Sequence, residues 1–232
     1  MQHSPAPLQS PIAERMDWLF GLAQRHAQDY ASPEAWLARQ RYLARHPTAI
    51  LVMKCMDGRI NIPIATQTPK GIIQPFRNLG GFFQLGWPHL GETLVASVDK
   101  VMRSGRQALV LITYHHSRGD ERRGCAGFHY RTADARAHTF DIQREVSTLF
   151  GAGHGSVYPL VCGFETDEDA LVVHGQDGQT LNMADLGAQD IDSLPQRLQQ
   201  LLPDMPTQIR HDLLPLLIGN LAHIADIRGH TR

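Results

Sequence analysis

The sequence predicts an α/β fold: a central, mostly parallel sheet flanked by helices, preceded by an N-terminal helical arm. Two observations carry that expectation. Residues 49–53, Ala-Ile-Leu-Val-Met, form an apolar run with no polar alternation, as a strand covered on both faces requires. A second such run, residues 108–114, follows after a stretch of helical periodicity, and strand, helix, strand in that order implies a right-handed parallel crossover.

Taken in order, residues 1–11 are polar, carry three prolines and read as a flexible tail. Residues 12–232 read as one domain, since no repeat or long linker interrupts them and their length suffices for a sizeable core. A first helix is expected over 11–29, with Ile12, Met16, Leu19, Phe20 and Ala23 at helical spacing. Ser32-Pro33-Glu34 then supplies an N-cap, a first-position proline and an acidic first turn for a second helix running to about Arg45. After the strand at 49–53, Gly71-Ile72-Ile73 marks a further approach to the sheet. The helix over 91–104 turns Leu94, Val95, Val98, Val101 and Met102 inward and stops at Gly105. Beyond it come the strand at 108–114, a helix over 134–149, and strands at 157–163 and 170–174. The stretch from 190 to 227 reads as helical but broken by Pro195, Pro203, Pro206 and Pro215.

Net charge is −1, with 22 Lys and Arg against 23 Asp and Glu, so no electrostatic case exists for a nucleic-acid or anionic-membrane partner. The apolar runs are too short to span a bilayer and the first residues lack a signal-peptide pattern, so a cytoplasmic location is expected. Three cysteines are an odd number and argue against a disulfide framework, leaving metal binding or catalysis open.

Both long strands end on chemistry. The first runs into Cys55-Met56-Asp57-Gly58-Arg59, placing a thiolate, a carboxylate and a fixed cation at alternate positions, all on one side if the backbone stays extended. The second ends on His115-His116, with Cys125 nine or ten residues later. Carboxyl ends of strands are where open α/β sheets place their sites. Two cysteines and one histidine, with a fourth position left to water, make the donor set of a catalytic zinc. Spacing leaves open which histidine is the ligand, whereas Cys162 sits inside an apolar strand and reads as core.

The Cys55-Met56-Asp57-Gly58-Arg59 segment resembles the Cys-x-Asp-x-Arg signature of the β-carbonic anhydrases. Arg77-Asn78-Leu79-Gly80-Gly81 looks like that family's Arg-Asn-Ala-Gly segment, and the stretch from Glu92 through His115 resembles its helix and histidine-bearing strand. The resemblance covers about residues 48–130. It implies one zinc ion per chain held by Cys55, His115 (favoured over His116) and Cys125, and reversible hydration of carbon dioxide to bicarbonate by a metal-bound hydroxide. It gives Asp57 the role of orienting that hydroxide and Arg59 the role of holding Asp57 ionised. It also implies a homodimer embraced by N-terminal helices, whose apolar faces here include Trp18, Phe20 and Trp36. Proton-shuttle candidates are His116, His89 and His129.

One departure is the gap between histidine and cysteine, where residues 117–124 are inserted. A longer gap is similar to the carboxysome shell carbonic anhydrase branch, as is the stretch from Phe164 to Ala170 with His174, although this chain is much shorter and a shell location does not carry over. Arg118, Arg122 and Arg123 place positive charge on that insertion. Two alternatives remain. One is a hydrolase of carbon disulfide or carbonyl sulfide, for which Phe82, Phe83 and Trp87 offer an aromatic lining. The other is a catalytically silent zinc-stabilised binding protein.

Overall fold

The computed structural model describes residues 10–151, 155–175 and 177–230; most of the expected tail, residues 1–9, lies outside them. Helices α1 (Ile12–Ala31) and α2 (Pro33–Arg45) come first, the second capped by the Ser32 hydroxyl, which accepts from the Ala35 N–H at 3.2 Å. Neither helix buries a residue, so the pair forms the expected arm.

The sheet consists of β1 (Ala49–Cys55), β2 (Ile73–Asn78), β3 (Ala108–His116), β4 (Val157–Glu165), β5 (Ala170–His174) and β6 (Thr180–Asn182), in the order β2-β1-β3-β4-β5-β6. The first four are mutually parallel, while β5 and β6 turn back antiparallel. Successive residues of β1 feed opposite faces. Leu51 and Met53 pack beneath α3 (Leu90–Arg103) and α4 (Thr132–Phe150), with Leu94, Val98, Ile142 and Val146. Ile50 and Val52 pack with Leu198, Leu213 and Leu217 of α5 (Leu194–Leu201) and α6 (Thr207–His230). Both faces are therefore apolar, which is why β1 shows no alternation; each such side chain contributes about 1.5–3 kcal/mol of burial.

Several expectations need correcting. On α3 only Leu94 and Val98 are buried, while Val95 and Met102 lie on its exposed side. The helix α6 runs straight through Pro215, because Leu213, Leu216, Leu217 and Leu221 bury around it and outweigh the one lost backbone bond. Pro195 sits in the first turn of α5, where its missing N–H costs nothing. The three-residue β6 has no counterpart in the sequence reading, being too short to show a period. Finally, β3 extends through both histidines, paired with Phe164 and Glu165.

Candidate metal centre

The ladder between β1 and β3 stops at Met53 and Ile112, although both strands continue. From there β1 follows β2, with Cys55 opposite Asn78, and β3 follows β4. Chain order also reverses at this point, since β2 and β3 flank β1 on opposite sides. A crevice outside the carboxyl ends at such a reversal is the usual binding position of an open α/β sheet. Just below it, the Thr113 hydroxyl donates to the Met53 carbonyl at 2.9 Å and ties the strands together.

Into this crevice the two strand ends deliver their side chains. His115, 1% exposed, brings its Nδ1 within 3.1 Å of the Cys125 Sγ and its Nε2 within 3.5 Å of Asp57 Oδ2. Its backbone N–H also points at the Cys125 sulfur, at 3.3 Å. Asp57 and Arg59 pair in a fork: Arg59 Nε donates to Oδ1 at 3.0 Å, its Nη2 donates to Oδ2, and its backbone N–H also reaches Oδ1 at 3.0 Å. The backbone is not extended here. It turns, with the Ile60 N–H donating to the Asp57 carbonyl at 3.2 Å, so a turn rather than alternation brings acid and cation together. Buried Lys54 supports that turn by donating from Nζ to the Ile60 carbonyl.

A glycine pair closes the wall. Gly80 and Gly81 both have positive φ, 69° and 74°, which favours glycine. A Cβ on Gly81 would lie 3.1 Å from the Cys125 Sγ and 3.7 Å from the Cys55 Cβ, so this bare backbone fills the space between the two cysteines. The Asn78 side chain shapes the approach, accepting from the Leu79 N–H at 2.9 Å and donating to the Phe82 carbonyl.

The electrostatics fit an incoming cation. Hydrogen bonds from Arg59 hold the Asp57 carboxyl down at about 2. Burial pushes the His115 imidazole down to about 4, against a smaller opposing pull from Asp57, so the ring is neutral with a lone pair to give. Burial likewise pushes the Cys125 thiol up to about 12. The His115 Nε2 is buried with no hydrogen-bond partner among the described residues. An unpaired buried nitrogen costs stability, and a coordinated ion would remove that cost while drawing the proton off a neighbouring thiol. Thus the donor set Cys55, His115 and Cys125 fits zinc in chemistry. The donor atoms of these three do not all lie within 4.8 Å of one another; among the described residues the trio that meets this measure is His46, His211 and Asp212, far away in sequence and absent from the sequence reading.

The two adjacent histidines are clearly separated. His115 meets Asp57 and Cys125, whereas the His116 ring stacks on Tyr114 at 5.9 Å. Cys162 is buried in the core, as expected. Phe83 is also core, and Phe82 stacks on His138 at 4.8 Å between ring centroids. His89 is highly exposed and pairs with Glu92 at 3.6 Å. The insertion at 117–124 is largely exposed but firmly held. Asp167, which sequence reasoning missed, accepts from the Ser117 hydroxyl at 2.8 Å, the Arg118 and Gly119 N–H groups at 2.8 and 2.9 Å, and the Arg123 guanidinium at 3.0 Å. Arg123 is therefore neutralised locally, leaving Arg118 and Arg122 as the outward positive charges of the loop, beside the exposed carboxylates Asp120 and Glu121.

No family model and no curated protein matches this chain. Among solved structures, the chain is similar to the β-carbonic anhydrase CcaA at TM-score 0.49 and 13% identity, over 72% of this chain and 92% of that one. A carbonic anhydrase from Streptococcus mutans is similar at TM-score 0.35 and 14% identity, over 62% of this chain and 92% of that one. Likenesses at these levels assign no activity.

Proposed function

We propose that this chain reversibly hydrates carbon dioxide to bicarbonate and a proton, with one zinc ion held by Cys55, His115 and Cys125. The observation that carries the reading is the buried His115 ring, whose Nε2 has no hydrogen bond and lies 3.5 Å from the Asp57 carboxylate of the Asp57–Arg59 fork, while its Nδ1 faces the Cys125 thiol at 3.1 Å. The Cys-x-Asp-x-Arg pattern and its downstream segments, residue by residue, support it.

When bound, zinc would supply the Lewis acidity that lets water lose a proton near neutral pH. The protein's own groups do the rest. Asp57 stays ionised at any physiological pH because Arg59 holds both of its oxygens. It therefore accepts a hydrogen bond from the attacking water and turns its lone pair toward the carbon. Arg59 in turn keeps the carboxylate from competing for the cation. The decisive experiment is stopped-flow carbon dioxide hydration on protein of measured zinc content; full zinc occupancy with no hydration above background would overturn the reading.

The same reading carries a homodimer. Ile12, Phe20 and Trp36 on the arm are 69%, 59% and 56% exposed, a surface that a second copy would cover. Light scattering that returned a single 25.9 kDa chain at micromolar concentration would refute it.

A further inference from the structure

We infer that His46, His211 and Asp212 form a second transition-metal site, distinct from the crevice and free of sulfur. His46 ends α2, immediately before β1, while His211 and Asp212 lie early in α6. The site thus sits at the amino end of β1, roughly 20 Å along the strand from Cys55 at about 3.3 Å per residue.

One donor atom of each residue lies within 4.8 Å of the other two. His46 Nδ1 is 3.3 Å and His211 Nδ1 is 3.0 Å from the same oxygen, Asp212 Oδ1. Zinc bonds of about 2.0–2.1 Å in a tetrahedron place neighbouring ligands about 3.3 Å apart, close to the two nitrogen-to-oxygen spacings of 3.3 and 3.0 Å. Hydrogen bonding alone accounts poorly for the cluster. Oδ1 also receives the Gln208 amide at 2.9 Å, so three nitrogens crowd one oxygen, more than its two lone pairs accept. A cation in place of the two imidazole protons resolves that crowding, because both ring nitrogens then give their lone pairs to the ion.

The remaining ligand surroundings suit such an ion. Asp212 is 1% exposed and its second oxygen, Oδ2, accepts the Thr48 N–H at 2.8 Å, an outer contact that orients a ligating carboxylate. The two imidazoles stack with centroids 5.4 Å apart and planes 28° from parallel. His211 is 58% exposed and borders an open cleft shared with Thr66 and Thr68, which leaves the fourth position to solvent. Two imidazoles and a carboxylate select zinc, nickel or copper over calcium or magnesium. Because α1 and α2 bury no residue of their own, an ion bridging His46 to α6 would fasten the arm to the body.

The test compares wild type, His211→Ala and Cys125→Ser, each dialysed against Zn2+ and separately against Co2+, with metal content measured. His211→Ala removes an exposed ring and so leaves the core intact. It is expected to bind one ion fewer than wild type and to keep any sulfur-to-cobalt charge-transfer absorption. Cys125→Ser is expected to retain one Co2+ ion with no sulfur band. His211→Ala binding as much Zn2+ as wild type would overturn the proposal, as would a Cys125→Ser protein that binds no metal while remaining folded. Failure of the crevice site alone reads differently: wild type would bind one ion, spectroscopically sulfur-free, and His211→Ala none.

Discussion

The two ends of β1 carry opposite kinds of polar cluster. At the carboxyl end, His115 is neutral with no hydrogen bond at Nε2, which lies 3.5 Å from Asp57, and the neighbouring Cys125 thiol is held protonated by burial. At the amino end, Asp212 is ionised in spite of its burial, because Thr48, His211 and Gln208 bond to it. On the proposed reading, a cation would complete the first cluster by drawing off a thiol proton and taking up the nitrogen that has no hydrogen bond. The second is already held together by hydrogen bonds to Asp212, of which those from the two imidazoles would give way to an ion while those from Thr48 and Gln208 remain. Metal loss should therefore be felt first as lost chemistry at one end and as a looser arm at the other.

The largest effect that would test this contrast is ligand removal in the crevice. Cys55→Ser and Cys125→Ser are each expected to lose most of the zinc bound there, and hydration with it, since a hydroxyl is a poor replacement for thiolate. Cys162→Ser should retain both, and elemental analysis beside the hydration assay decides. A step smaller, Asp57→Asn should keep zinc while lowering turnover by about 10²–10⁴-fold, the range for a lost acid–base group. Near-normal turnover in that variant, under conditions where chemistry limits the rate, would remove Asp57 from the reaction.

Acid titration of the metal-free protein separates the buried histidines from the depressed carboxylates by pH. Burial holds His115, and likewise His174 with its Tyr114 hydrogen bond at 2.9 Å, down at about 4 against an ordinary 6.5. The unfolded chain takes up these protons first, so stability is full above about pH 6.5 and falls steadily down to about 4, by roughly 3 kcal/mol per histidine. Asp212 and Asp57 are depressed carboxylates; their contribution is present above the ordinary carboxylate range and lost only below it. Urea titrations at pH 7, 5 and 3 would show the two windows. A flat profile between pH 7 and 5 would mean that these histidines take up protons as readily in the fold as in the unfolded chain. The smallest effect is expected at the loop: Arg122→Glu should leave zinc and stability unchanged and alter only the salt-dependent bicarbonate kinetics, whereas Arg123→Ala also loosens the loop because it releases Asp167.

The crevice was legible because its residues are adjacent in sequence to strong strand signals. Ala49 to Met53 and the run ending at His115 are identifiable by composition alone, and residues just after a buried parallel strand lie at its carboxyl end. The edge strand β2 was only half visible, since Pro75 and Arg77 interrupt its apolar pattern; an edge position tolerates both. Asp167 could not be tied to the inserted loop, which lies 44–50 residues away and meets it only through the β3–β4 pairing.

By itself, then, the sequence determined which strands are buried on both faces, where they end, and that Cys55, an Asp–Arg pair and two histidines stand at or just beyond those ends, with Cys125 nine residues further on. Periodicity and local spacing carry that information, because they depend on neighbours in the chain. Only the tertiary structure decided that His115 rather than His116 faces Asp57, through the extension of β3 by its pairing with β4. Only it brought His46 to Asp212 across 166 residues, because the packing of α6 against the start of β1 is a long-range contact with no local signature.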